Sequence, residues 1–161
     1  MDDYRGFAQS EYQYVRDNFY PQFSWQASAE PSARTLPGRP LGEARVALVA
    51  SAGAYLAGQE RFDLGDNGDP TYREIPANAE RLRFAHGGYD TRRAYQDPDV
   101  VFPLRTLHQL AAAGTIGSVA PRAFSFMGYI PDVDPLLNDS GPAVARALLA
   151  DAVDLVLLVP S

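Results

Sequence analysis

The sequence predicts an α/β fold, an open and mainly parallel sheet with flanking helices, and three observations carry that prediction. Val153–Val159 (VDLVLLV) is a continuous apolar run of the kind that fills an interior parallel strand, with neighbours on both edges and cover on both faces. Arg45–Ala50 (RVALVA) is a second short apolar run, and it passes into Ser51-Ala52-Gly53, a turn suited to close backbone approach. Between the two, strand-like and helix-period segments alternate, as they do in a parallel layer.

Taken in order, residues 1–25 form an aromatic helical arm, with Tyr4, Phe7, Val15 and Phe19 near helical spacing. Residues 26–42 are rich in Pro, Gly and Ala and read as a linker. Residues 43–161 form the α/β domain, incomplete at its C-terminal side and of Rossmann-like or flavodoxin-like type. Within it, Arg45–Ala50 is the first strand. The polar stretch from Gln59 to Ala79 reads as a long functional loop. Leu82–Ala85 is a second strand, ending at His86-Gly87-Gly88-Tyr89-Asp90. A helix follows with Leu104, Leu107, Leu110 and Ala111 on one face and Gly114 at its C′ position. Ala123–Tyr129 is a third strand-like run. Ser140 reads as the N-cap of a last helix, with Pro142 near N1 and Val144, Leu148 and Ala152 as its buried stripe.

Composition removes several function classes. A length of 161 residues suits one domain, and 46% apolar with 21% charged residues is ordinary for a globular chain. The net charge of −6 and the lack of a basic stripe exclude nucleic acid as a partner. No apolar run approaches membrane-spanning length, and the acidic N-terminus has no signal pattern, so a cytoplasmic location is expected. There is no cysteine and no lysine; all 14 basic residues are arginine. Thiolate and Schiff-base chemistry therefore have no residue here, and with only His86 and His108 no three-histidine metal site can form. No cofactor is expected on these residues: Gly53–Gly58 lacks dinucleotide spacing, and no Walker A or G-x-S-x-G motif occurs.

The remaining signals form an ordered set. Gly68–Pro76 (GDPTYREIP), His86–Asp90 (HGGYD), Asp99–Leu104 (DVVFPL), Gly114–Arg122 (GTIGSVAPR), Phe124–Ile130 (FSFMGYI) and Ala150–Pro160 (ADAVDLVLLVP) occur in this order. Together they resemble the selenoprotein B family of the glycine, sarcosine, betaine and D-proline reductases, over roughly residues 41 to 161. The resemblance implies an oxidoreductase subunit acting on a small amino acid or betaine-type substrate by reductive C–N cleavage. It implies a selenocysteine, or a cysteine in its place, in a short motif after the last strand. It implies a partner subunit bearing a pyruvoyl group and a thioredoxin-type dithiol donor. The chain ends at Ser161, where that motif is expected. The expected cause is a UGA codon read as a stop; the alternatives are a pseudogene-like truncation or a deliberate fragment. The chain alone is expected to be inactive. Its uncovered last strand makes self-association an expected property. The alternative is a non-catalytic, family-derived binding or scaffold domain.

Candidate site residues follow from strand ends. His86 closes the second strand and falls on the same rim as Ser51, Met127 and Ser161, where a histidine suits proton transfer. Asp90 lies beside it, as catalytic partner or as a simple structural acceptor. Arg73, next to Tyr72, suits either a substrate carboxylate or an ion pair with Asp90 or Asp69. Ser125, Met127 and Gly128 are expected in the pocket wall or, on one face, in the core, with Gly128 permitting close approach. His108 reads as a surface residue.

Overall fold

The computed structural model describes residues 3–18, 21 and 35–161. The chain divides into two units, residues 1–35 and 36–161. In the first, α1 (Asp3–Asn18) is closed by i,i+4 bonds such as Gln13 Nε2 to Asp17 Oδ1 at 2.8 Å. The expected aromatic face rests on Tyr4, Phe7 and Phe19, whose side chains lie outside the described residues, as does most of the expected linker.

The second unit is an α/β layer. Its strands are β1 (Arg45–Ala50), β2 (Ala54–Tyr55), β3 (Arg73–Pro76), β4 (Arg83–Phe84), β5 (Ser118–Val119), β6 (Arg122–Ser125) and β7 (Leu155–Val159). Its helices are α2 (Thr91–Gln96), α3 (Leu104–Ala112) and α4 (Gly141–Ala150). β1 is the axis of the sheet. β7 runs parallel to it along the whole of Val46–Ala50, while β5 and β6 pair in parallel with its two ends. β5 and β6 are in effect one segment interrupted at Pro121, which has no N–H to give to the ladder. β3 adds antiparallel to β6, and β2 and β4 form a separate antiparallel pair. The sheet is therefore mixed and mostly parallel, as expected of the fold class.

Period-two alternation sends Val46, Leu48 and Ala50 to one face, where they pack with Ile75, Phe102, Leu104, Leu107 and Ile116. α3 supplies its expected face: Leu104 and Leu107 are buried, and Gly114 takes a φ of +72° just beyond the helix.

Several elements differ from the sequence reading. α2 has no counterpart in it, β4 lies in the separate pair with β2, and Ala152 of the expected buried stripe is exposed beyond α4 with a φ of +52°. β3 lies inside the stretch expected to be a loop; only Ile75 of its four residues is buried, so no alternation marks it. β2 has two residues, too few for any period. Ser140 does not cap α4: it sits in helical conformation at the end of a π-turn, Leu136–Ser140, and its Oγ donates to Pro70 O at 2.6 Å. β7 lies at an edge of the sheet among the described residues, where it pairs only with β1, and Leu158 is 71% exposed.

A rim where strand ends meet

Because β1, β6 and β7 run parallel, the residues that follow them share one edge of the sheet. Ser51, Gly128 and Ser161 meet there. The Ser161 N–H donates to Ser51 Oγ at 2.9 Å, and the Ser51 N–H donates to Val159 O at 3.0 Å. Gly128 has a φ of +99°, and a Cβ on it would stand 3.1 Å from Ser51 Cβ and 3.4 Å from His86 Nε2. Both its conformation and its surroundings call for glycine.

His86 is brought in by a backbone clasp. Gly53 donates its N–H to Phe126 O at 2.7 Å and accepts from the Ala85 N–H at 2.9 Å, which stitches β4 onto the turns after β1 and β6. The Gly88 N–H then donates to His86 Nδ1 at 2.9 Å. An accepting Nδ1 is unprotonated, so the neutral ring carries its hydrogen on Nε2. That nitrogen is buried and without a hydrogen-bond partner, facing Ser51 and Gly128. Burial lowers the imidazole pKa below its ordinary 6.5, against a smaller opposing pull from the Ser51 backbone. The ring stacks on Tyr89 with centroids 4.3 Å apart, and the Tyr89 hydroxyl donates to Ala52 O at 2.7 Å. Burial pushes that phenol up to about 12, with Tyr95 adding to the shift, so Tyr89 stays a neutral donor. Sequence reasoning missed Tyr89; its only signal is the spacing behind Gly87-Gly88.

Two open grooves flank the rim. One, of about 510 Å³, runs past Ser51, Gly128, Ile130, Leu136 and Leu158 and is largely apolar. The other, of about 540 Å³, lies between Tyr89, α2 and Pro160-Ser161.

The other candidates sit elsewhere. Asp90 is the N-cap of α2; it accepts from the Arg92 N–H at 3.0 Å and pairs with the Arg92 guanidinium at 2.7 Å. Hydrogen bonds from Arg92 hold its carboxyl down to about 2. Ser125 is fully buried, and its Oγ accepts from the Ala54 N–H at 2.8 Å. Met127 is buried with Tyr55, Phe62 and Ala85. Arg73 is spent on the Glu60 carbonyl, Thr71 Oγ1 and Asp69, and lies over the Phe62 ring at 4.2 Å. Tyr72 packs against Phe124 and Phe126 with centroids 5.8 and 5.9 Å away. His108 is exposed and lies 2.8 Å from Ala77 O. Among the described residues no cluster suits a metal ion, and no helix is long and apolar enough to cross a membrane.

Comparison with known proteins bears on the same segments. The model of the family glycine/sarcosine/betaine reductase selenoprotein B matches residues 71–161. D-proline reductase subunit gamma of Acetoanaerobium sticklandii is 35% identical over 130 residues, which are 80% of this chain and 53% of that protein. Glycine reductase complex component B subunit gamma of Carboxydothermus hydrogenoformans is 31% identical over 123 residues, 73% of this chain and 28% of that one. The corresponding subunit of Symbiobacterium thermophilum is 31% identical over 104 residues, 57% of this chain and 23% of its own. The matched region thus spans about half the first relative's length and about a quarter of the other two. No solved structure matches the chain.

Proposed function

The chain belongs to the glycine/sarcosine/betaine reductase selenoprotein B family, and from that premise we propose that it forms the rim-bearing α/β part of a reductase subunit. Its substrate class is a small amino acid or betaine-type compound, and its reaction is reductive C–N cleavage with a dithiol as donor. The observation that carries this reading is the convergence of Ser51, Gly128 and Ser161 at the carboxyl ends of parallel strands, with His86 brought to them by the clasp through Gly53.

The redox group of the reading is a selenocysteine or cysteine C-terminal of Ser161, which supplies an ionised chalcogen as nucleophile and redox couple. The residues present suit such a neighbour. Ser51 fixes the Ser161 amide at the rim, so the chain leaves β7 within the neighbourhood of His86. His86 is held neutral by burial, with Nδ1 accepting from Gly88 and its hydrogen on Nε2, so it presents a hydrogen-bond donor to the rim and gives up a proton only after first gaining one as imidazolium. Tyr89 packs the ring in place. Asp90 acts at one remove, by capping the helix that follows Tyr89. The partners of the reading are a pyruvoyl-bearing subunit, which activates the substrate, and a thioredoxin-type dithiol donor.

The test is turnover of the full-length gene product assembled with its pyruvoyl-bearing partner. Dithiol oxidation should depend on one of D-proline, glycine, sarcosine or betaine. Oxidation that none of the four stimulates overturns the proposal.

A further inference from the structure

A proton carrier must pass through its imidazolium, and the surroundings of His86 oppose that state. The ring is half-buried, and burial works against the cation. Among the described residues no carboxylate pairs with it. The turns after β1 and β6 bring Ser51-Ala52-Gly53 and Phe126-Met127-Gly128, none of them ionisable, and Tyr129 beyond them is exposed. On the segment of His86 itself, Asp90 caps α2 and gives both oxygens to Arg92. Tyr95 is turned to β4, where its hydroxyl accepts from the Phe84 N–H at 3.1 Å. The Ser51 backbone favours the cation, but less than burial opposes it.

Tyr89 is the remaining group against the ring. Its centroid lies 4.3 Å from that of His86, with the planes 35° apart. An aromatic face is electron-rich and attracts a cation laid over it. Gly88 leaves room for the pair, since a Cβ there would stand 3.0 Å from His86 Cε1. The Tyr89 hydroxyl donates to Ala52 O at 2.7 Å, and Ala52 is fully buried next to the Gly53 clasp. The ring is therefore held at both ends, by its backbone at the head of α2 and by its hydroxyl on the turn after β1. A side chain that only filled space would need no hydroxyl there.

Resting on the reductase reading, we propose that Tyr89 is a positioning residue for His86: its hydroxyl locks the phenol ring to the Ala52 carbonyl, and its aromatic face holds the imidazole at the rim and supports the imidazolium. Tyr89 touches no reacting atom and gives up no proton. It lets a half-buried histidine without a carboxylate partner reach its charged state. The Gly87-Gly88 spacing gains a reason as well: two small residues let a ring three positions on fold back over the histidine.

Two measurements on the full-length gene product test this. In the first, the histidines are labelled with 15N, His86 is assigned by its loss in His86→Gln, and its titration is followed by NMR. Tyr89→Phe keeps the aromatic face and should titrate close to wild type. Tyr89→Leu keeps apolar bulk without the face, and its midpoint should fall by about half a pH unit. Tyr95→Phe removes a hydroxyl from the same segment and should leave His86 unmoved. A midpoint in Tyr89→Leu equal to or above that of Tyr89→Phe overturns the proposal; Tyr89→Met carries the same comparison if the leucine variant does not fold. In the second, Tyr89→Leu in the assembled complex should lower kcat about tenfold, and Tyr89→Phe, which loses only the tether, about threefold, with KM nearly unchanged in both. A lowered midpoint with kcat unmoved defeats the part of His86 in the reductase reading and leaves the pairing of the two rings standing. A wild-type complex without turnover defeats the reading, and the titration still decides the pairing.

Discussion

Ser161 and Ser51 hold each other across the rim: the Ser161 N–H donates to Ser51 Oγ at 2.9 Å, beside the bond from the Ser51 N–H to Val159 O. Ser51→Ala removes the first bond and keeps the second. The bond is exposed, so the cost to stability should be small, about 0.5 kcal/mol. Amide exchange at Ser161 should quicken while the Ser51 amide stays protected. Unchanged exchange at Ser161 would contradict the tether.

Gly128 and Gly58 form a matched pair for separating strain from crowding. Their φ angles are +99° and +96°, but a Cβ on Gly58 meets nothing within 4 Å, whereas one on Gly128 meets Ser51 and His86. Gly58→Ala should cost about 1–2 kcal/mol, the strain alone. Gly128→Ala should cost about 1 kcal/mol more and should alone perturb the His86 ring signals. Equal urea midpoints for the two variants would mean that the rim is not tightly packed.

The pH dependence of stability carries the signature of His86. Its folded pKa lies below the unfolded value of 6.5, because burial opposes the imidazolium. Between the two values the unfolded chain binds more protons, so stability is full above 6.5 and is lost as pH falls through the folded pKa. Protonation would also set an Nδ1–H against the Gly88 N–H, removing that bond. His86→Gln should flatten the slope in this window. Asp90, held down to about 2 from 3.8, acts only in more acid solution and does not confuse the reading.

Ser125 separates scaffold from substrate contact. Its hydroxyl accepts the Ala54 N–H inside a fully buried environment, so Ser125→Ala strands a buried donor at a cost of about 1–3 kcal/mol. The melting temperature should fall, and KM in the assembled complex should not move. A KM change with unaltered stability would place Ser125 at the substrate instead.

The sheet was legible where side-chain pattern and burial coincide. Arg45–Ala50 declares itself through an apolar run and Leu104–Ala112 through a helix-period face, whose Leu104 and Leu107 are in fact buried. Arg73–Pro76 stays hidden because it joins the edge of the sheet through backbone bonds, with one core side chain and a terminal proline. The run at Leu155–Val159 names its strand but not its setting, because apolar content alone cannot say whether a second neighbour is present.

At the site, strand-end reasoning put Ser51, His86, Met127 and Ser161 on one rim. Parallel topology does bring Ser51 and Ser161 together. Met127, however, is core, and His86 follows β4 of the separate antiparallel pair, reaching the rim through the Gly53 clasp. Strand-end reasoning could not sort Ser125 from Gly128, because alternation breaks where β6 ends. Nor could it tell whether Arg73 meets a substrate or an ion pair: the folded chain gives it Asp69, while Asp90 is taken by Arg92.

The most direct test of the rim is turnover of the assembled, full-length complex carrying His86→Gln, set against His108→Gln. With His86 as the proton carrier, kcat should fall about a hundredfold with assembly intact, while His108→Gln should leave it unchanged. Equal turnover by the two variants would contradict the account.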